Sequence, residues 1–254
     1  MILAVDTGNS NIVLGCMEGL EIRHTLRLKT DRATSAAGYT VTLQAALAQA
    51  GFSVAGFEGG ILSSVVAAVT EPLRQALSAL LSGPVLVVGK TAKTTLPLCI
   101  DQPETIGADL IAAAEGALAQ YAPPLVLIDM GTATTFSVLD KSGAFLGGAI
   151  APGVQLGAEA LTQRTGLPMT ELSAPQSPLS HSTTDCLRSG IIYGAAAMVD
   201  GMLDRLETAL GTPITTIATG GLAHCVIPHC RRPVTLDDQL LLRGLAVMYR
   251  REMT

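Results

Sequence analysis

Short runs of alternating or continuous apolar residues interleave with longer stretches of helical period along this chain. The short runs predict strands over residues 1–5, 11–16, 22–28, 60–66, 85–88, 125–128, 134–139, 144–150 and 214–219. The longer ones predict helices over 40–50, 70–81, 109–120, 157–161, 189–210 and 239–249. Gly51 closes the first of these helices, and Pro72 is expected in the first turn of the second, where a missing N–H is tolerated. The chain therefore opens on a β-hairpin whose turn is Asp6-Thr7-Gly8-Asn9-Ser10.

The opening plan recurs about half a chain later. Leu3-Ala4-Val5-Asp6-Thr7-Gly8-Asn9-Ser10 and Leu127-Ile128-Asp129-Met130-Gly131-Thr132-Ala133-Thr134 each run from an apolar strand into Asp-x-Gly, a polar residue and a second strand. Two similar α/β halves follow, expected over residues 1–118 and 119–254, with Pro123-Pro124 near the boundary.

Composition narrows the class. Of 254 residues, 48% are hydrophobic and 15% charged, which excludes a disordered chain. Mean hydropathy is +0.44, but no apolar stretch approaches the roughly 20 residues of a spanning helix, so no membrane insertion is expected. The apolar start has no basic region before it and meets an acid at once, unlike a signal peptide. Sixteen basic against twenty-one acidic residues give a net charge of −5, so no nucleic-acid partner is expected. Five scattered cysteines suit reduced thiols in a cytoplasm. His224, Cys225, His229 and Cys230 form a compact soft-ligand group, but without a Cys-x-x-Cys spacing and with Pro228 between them.

Asp-x-Gly at a hairpin turn can be an ordinary Asx turn. It is also a phosphate site: glycine lets the backbone approach a ligand, turn amides face phosphate oxygens, and the carboxylate can hold a bridging metal. Two copies in matching places favour the second reading. Gly83 through Thr91 mimics a P-loop but has five residues between its glycines and reads as strand, so it is rejected. No Gly-x-Gly-x-x-Gly follows a strand. Asp109 opens a helix, either as a cap or as a general base that the helix N-terminus keeps ionised. Gly147-Gly148-Ala149-Ile150-Ala151-Pro152-Gly153, read as following the second hairpin, Thr219-Gly220-Gly221 and Ser182-Thr183-Thr184 mark further turns or points of close approach.

Taken together and in order, these pieces resemble the type III pantothenate kinases. The resemblance rests on Asp6 to Asn11, Leu62-Ser63-Ser64-Val65-Val66, Pro103 with Gly107-Ala108-Asp109, Asp129 to Thr135, Gly147 to Gly153, Thr183 with Gly190, Thr219-Gly220-Gly221, and the segment 241–245. It implies two duplicated RNase H-like halves of actin-like ATPase type, mixed sheets flanked by helices, with nucleotide in the cleft between them. It implies ATP-dependent phosphorylation of pantothenate, the first step of coenzyme A synthesis, with magnesium, a monovalent cation (potassium or ammonium), a homodimer and a cytoplasmic location. By matching position, Asp109 is the base, and Asp129 the monovalent-cation ligand. Asp6, Thr7, Gly8, Asn9, Ser10, Asn11, Ile12, Val13 and Thr132 contact ATP, with Asp6 a candidate magnesium ligand. Gly107, Ala108, Asp109, Leu110 and Thr183 contact pantothenate, with Thr184 a rival to Thr183. The phosphate turns contain no Lys or Arg, so a bound cation is expected to offset phosphate charge.

Three positions depart from the family pattern. Leu110 stands where an arginine is usual, Ile100 where a tyrosine is usual, and Ala37-Gly38 where an acidic pair is common. Leucine cannot replace a bidentate guanidinium, and Arg164 and Arg188 are the nearest substitutes by motif context. Two alternatives stay open: a weak or inactive member of the fold acting as a regulatory or accessory protein, and an actin-fold kinase for another small hydroxyl substrate.

Overall fold

The computed structural model describes residues 1–168 and 170–254. The described residues form two compact units. The first comprises Met1–Leu96, Asp101–Gln120 and Gln239–Thr254; the second comprises Pro97–Ile100 and Tyr121–Asp238.

In chain order the elements of the first unit are β1 (Ile2–Thr7), β2 (Asn11–Glu18), β3 (Glu21–Lys29), α1 (Ala36–Gln49), β4 (Gly59–Ser64), α2 (Ala67–Leu80), β5 (Val85–Val87) and α3 (Ala108–Leu118). The second unit holds β6 (Leu125–Met130), β7 (Ala133–Leu139), β8 (Phe145–Pro152), α4 (Val154–Thr165), α5 (Thr183–Leu210), β9 (Thr215–Thr219), α6 (Ala223–Val226) and β10 (Thr235–Leu236). Helix α7 (Leu240–Glu252) then joins the first unit.

Each unit is built on one five-stranded mixed sheet, ordered β3-β2-β1-β4-β5 in the first and β10-β9-β6-β7-β8 in the second. In both, three antiparallel strands are followed by two that run parallel to the first. The sequence repeat is thus a repeat of topology. Alternation puts Leu3 and Val5 on one face of the first sheet, under Leu43, Leu47, Leu73 and Leu77 of α1 and α2. Ile2 and Ala4 face the other way, against Ile111 and Ala112 of α3 and Leu245 and Met248 of α7. In the second unit, Val126, Ile128, Phe136 and Val138 pack against Ile192, Ala196, Val199 and Leu203 of α5.

Several helices begin earlier than periodicity predicts, and in α1, α2 and α5 the early start has a local polar cause. The Ser35 side chain caps α1 by accepting from the Gly38 N–H at 3.2 Å. Ser182 caps α5 by accepting from the Asp185 N–H at 3.1 Å, adding six residues to the expected 189–210. The Ser64 hydroxyl accepts from the Thr70 hydroxyl at 2.8 Å and from the Val66 N–H at 3.3 Å, so α2 starts just past its strand. Pro72 consequently sits inside α2 rather than in its first turn. Helix α4 extends on both sides of the expected 157–161 and stops at Gly166, which takes a left-handed φ of 69°. The glycine-rich piece from Gly147 lies within β8, the edge strand of its sheet, rather than after a hairpin. Elements α6 and β10 are too short to carry a period.

Chain order alone groups residues 239–254 with the second half, whereas α7 packs on α3. Two glycines allow it: a Cβ at Gly244 would collide with the Ala112 carbonyl, and one at Gly116 with the Leu240 carbonyl. The same junction holds a largely buried ion pair, Arg251 Nη1 to Glu115 Oε2 at 3.0 Å, with the Thr94 hydroxyl donating to Glu115 Oε1 at 2.8 Å. Gly244→Ala should therefore force the helices apart and cost about 1–3 kcal/mol, the usual range for overpacking. A urea titration reads this directly, and a midpoint equal to that of the parent would contradict the close helix contact.

Candidate active site

The predicted residues fall into two clusters, one in each unit. In the first, β1 extends beyond its expected end and carries Asp6 and Thr7 within the strand, leaving Gly8 to Ser10 as the turn. The Gly8 N–H donates to the Asn11 carbonyl at 2.9 Å and closes it. Asp6 shares a face with Ile2 and Ala4, the face covered by α3, and pairs in register with Ser63 of β4 and Val13 of β2. The Ser63 and Thr7 hydroxyls are buried without a hydrogen-bond partner. An unsatisfied buried hydroxyl is costly, and such groups in native folds call for a ligand, water or ion.

Asp109 lies in the first turn of α3 and is not its cap, which is Gly107. Its Oδ1 accepts from the Leu110 N–H at 2.8 Å and folds over Gly107, where a Cβ would meet it. A side chain at position 107 would therefore push that carboxylate aside. Burial pushes the Asp109 carboxyl above its ordinary value, and the N–H groups of Leu110 and Asp109 only partly offset this. The helix N-terminus, expected to keep this carboxylate ionised, is thus opposed by desolvation. A carboxyl whose pKa is raised is the stronger base of two aspartates.

In the second unit Asp129 is the penultimate residue of β6 and faces Thr135 across the antiparallel pair and Thr219 across the parallel one. The Thr135 hydroxyl is buried and without a hydrogen-bond partner, as is that of Thr134 on the opposite face. Gly220, with φ of 97°, lies so close that a Cβ there would stand 2.5 Å from Asp129 Oδ1. A Cβ at Gly153 would strike the Gly131 and Thr132 carbonyls. Gly220 and Gly131 thus lie against the Asp129 carboxylate, and Gly153 against the turn that follows it. A carboxylate with neighbouring hydroxyl oxygens is a hard donor set, which fits a potassium-type or magnesium ion. Thr132 is exposed on the turn itself.

A family model described as type III pantothenate kinase matches residues 2–205. A type III pantothenate kinase of an Exiguobacterium species is 38% identical over 252 residues, covering 99% of both chains. This chain belongs to the type III pantothenate kinase family. Among solved structures, a Campylobacter jejuni protein described as a Baf family transcriptional activator matches with a TM-score of 0.64 at 17% identity, covering 98% of each chain. The activator of the 2-hydroxyisocaproyl-CoA dehydratase from Clostridium difficile, with bound ADPNP, matches with a TM-score of 0.56 at 14% identity over 98% of this chain and 93% of that one. The fold is that of the actin-like ATPases, α/β with two RNase H-like halves.

Seen as a type III pantothenate kinase, the chain shows where its departures sit. Leu110 is partly buried beside Asp109 on α3, and Ile100 approaches Gly147 of β8. Arg188 is committed within its own unit: it pairs with Asp185 at 3.1 Å and donates from Nε to the Ser173 carbonyl at 3.0 Å and from Nη2 to the Ser173 hydroxyl. Arg164 is exposed in the last turn of α4. Thr183 and Thr184 are both exposed at the start of α5. The His/Cys group disperses: His224 Nε2 meets Asp238 Oδ2 at 2.6 Å, His229 stacks edgewise on Tyr193, and burial pushes the Cys230 thiol up to about 12. Among the described residues no three His, Cys, Asp or Glu side chains gather as a metal site. A cavity of about 550 Å³, lined by Ile2, Met17, Glu58 and Tyr249 among others, touches no candidate residue.

Sequence reading missed Thr30 and Arg32. The Thr30 N–H donates to the Ser10 carbonyl at 3.0 Å and its hydroxyl to the Gly8 carbonyl at 2.7 Å, while Arg32 Nη2 donates to Asn9 Oδ1 at 3.0 Å. Antiparallel pairing of Asn11 with Lys29 brings this segment to the turn, a signal available once β3 is paired with β2.

Asp109→Asn tests the base against a purely structural role. A carboxyl whose native pKa lies above its unfolded value costs the native state stability once pH exceeds the unfolded value. The variant should therefore melt at or above the parent's temperature at neutral pH, while turnover falls about 10²–10⁴-fold. Turnover above half of the parent's would remove Asp109 from catalysis, and unfolding would make it structural.

Proposed function

We propose that this chain transfers the γ-phosphoryl group of ATP to the 4′-hydroxyl of pantothenate, the first step of coenzyme A synthesis, in the cytoplasm. Family membership over nearly the whole chain supports the substrate and the use of ATP with magnesium. The observation that carries the reading is Asp109: a carboxylate held at a helix start over a glycine, with its pKa raised by burial, suits deprotonation of a hydroxyl. Asp109 is the base, and Gly107, Ala108, Leu110 and Thr183 the pantothenate contacts. The segment from Asp6 to Val13 and Thr132 are the ATP contacts, with Asp6 toward magnesium. Phosphoryl transfer needs mostly positioning and charge stabilisation, which turn amides and carboxylate-held cations provide.

Asp129, with Thr135 and Thr219 beside it, is the ligand of a monovalent cation. A bound potassium or ammonium ion supplies positive charge against the phosphates. No described helix is long and apolar enough to cross a membrane. The exposed apolar residues of edge strand β8, Leu146 at 39% and Ile150 at 78% exposure, support a homodimer through this face.

A second reading, a weak or inactive member with a regulatory role, draws on Leu110. ATP consumption with pantothenate, with and without potassium or ammonium, separates the two. Pantothenate-dependent turnover stimulated by either cation is expected, and its absence would favour the second reading. In Asp129→Ala the rate should be low and flat against potassium, and a parent-like response would move the cation site elsewhere. Leu110→Arg should restore a charge-assisted hydrogen bond and lower the pantothenate KM about tenfold or more, with the ATP dependence unchanged. An unchanged or raised KM would point to a rebuilt pocket and another hydroxyl substrate.

A further inference from the structure

The Asp6 turn carries no cation of its own, yet the fold brings one to it. We propose that Arg32 is a nucleotide-binding residue whose guanidinium contacts the terminal phosphates of ATP. The inference rests on the reading of residues 6–13 as the phosphate turn, and adds to it a side chain from outside that motif.

The placement of Arg32 is built rather than incidental. On one side, Thr30 is bonded to the turn through both its N–H and its hydroxyl, at the Ser10 and Gly8 carbonyls. On the other, Asp31 folds the chain into an Asx turn, its Oδ1 accepting from the Ala33 N–H at 2.9 Å and its Oδ2 from the Thr34 hydroxyl at 2.8 Å. The buried Tyr39 of α1 donates its hydroxyl to the Asp31 carbonyl at 2.6 Å, fastening the segment to the core. Between these anchors Arg32 is exposed and reaches Asn9, in the middle of the turn, through Nη2 at 3.0 Å. A guanidinium has five N–H donors in a planar fork, so one bond to an amide oxygen leaves capacity for a bidentate phosphate contact. The bond to Asn9 holds the fork beside the tip of the turn. The neighbouring Asp31 carboxylate is already occupied by Ala33 and Thr34, and Lys29 adds a second positive charge nearby in sequence.

Calorimetric titration of the intact protein with magnesium and the non-hydrolysable analogue AMPPNP tests this without turnover. Arg32→Ala should weaken AMPPNP about tenfold or more, the size of one charge-assisted contact, and reduce the dependence of affinity on ionic strength. Arg32→Lys should recover part of the loss, since it keeps charge but not the fork. The pantothenate KM should stay unchanged in both. Because Arg32 is exposed, neither variant should lower the melting temperature of the nucleotide-free protein by more than a degree or two. An Arg32→Ala protein that binds AMPPNP within twofold of the parent overturns the proposal. Asp6→Asn, titrated alongside, tells which level failed. If it weakens AMPPNP while Arg32→Ala does not, only the role of Arg32 is lost. If neither variant weakens it, the phosphate-turn reading falls, and this inference with it.

Discussion

In each unit everything chemical hangs on the register of the innermost strand. Asp6 and Asp129 occupy equivalent places in two sheets of one topology, and a strand's period of two decides what stands beside them. A slip of one residue would turn either carboxylate to the opposite face, among the packed leucines and valines. The apolar residues before each aspartate hold that register, since their own burial depends on it. The core and the site are therefore not separable designs: the packing of Ile2 and Ala4 under α3 is what aims Asp6.

The two halves use this shared frame differently. Asp6 has Val13 and Ser63 as its register neighbours, while Asp129 has Thr135 and Thr219. The second setting is richer in oxygen and is walled by backbone at Gly220. The first has its arginine nearby and faces the helix that carries Asp109. Two sheets of one topology thus set one aspartate between hydroxyl-bearing register neighbours and the other on the face covered by α3.

Much of this was legible in the sequence because the decisive signals are local. Asp-x-Gly after an apolar strand shows in both copies, and so does the glycine before Asp109. The early starts of α1 and α5 were also written locally, in Ser35 and Ser182, but a cap has no periodicity and a reading built on periodicity passes over it. The rest is tertiary. Thr135 and Thr219 come to Asp129 only through strand pairing, Arg32 comes to Asn9 only through the β2–β3 register, and the raised pKa of Asp109 depends on what covers it. Likewise, no local pattern says that α7 belongs with α3, because two glycines distant in sequence decide it.

That last contact also orders the events of synthesis. The second unit, apart from the short segment Pro97–Ile100, is one continuous stretch, Tyr121–Asp238, whose parts are all present on the nascent chain before α7 is translated. The first unit has its sheet early but lacks one of its covering helices until Gln239–Thr254 emerges. During that interval Ile111 and Ala112 of α3, and Ile2 and Met17 beneath, have no α7 to bury them. The half that begins first is thus the half that finishes last, and its unfinished apolar face is the surface a chaperone would meet on the ribosome.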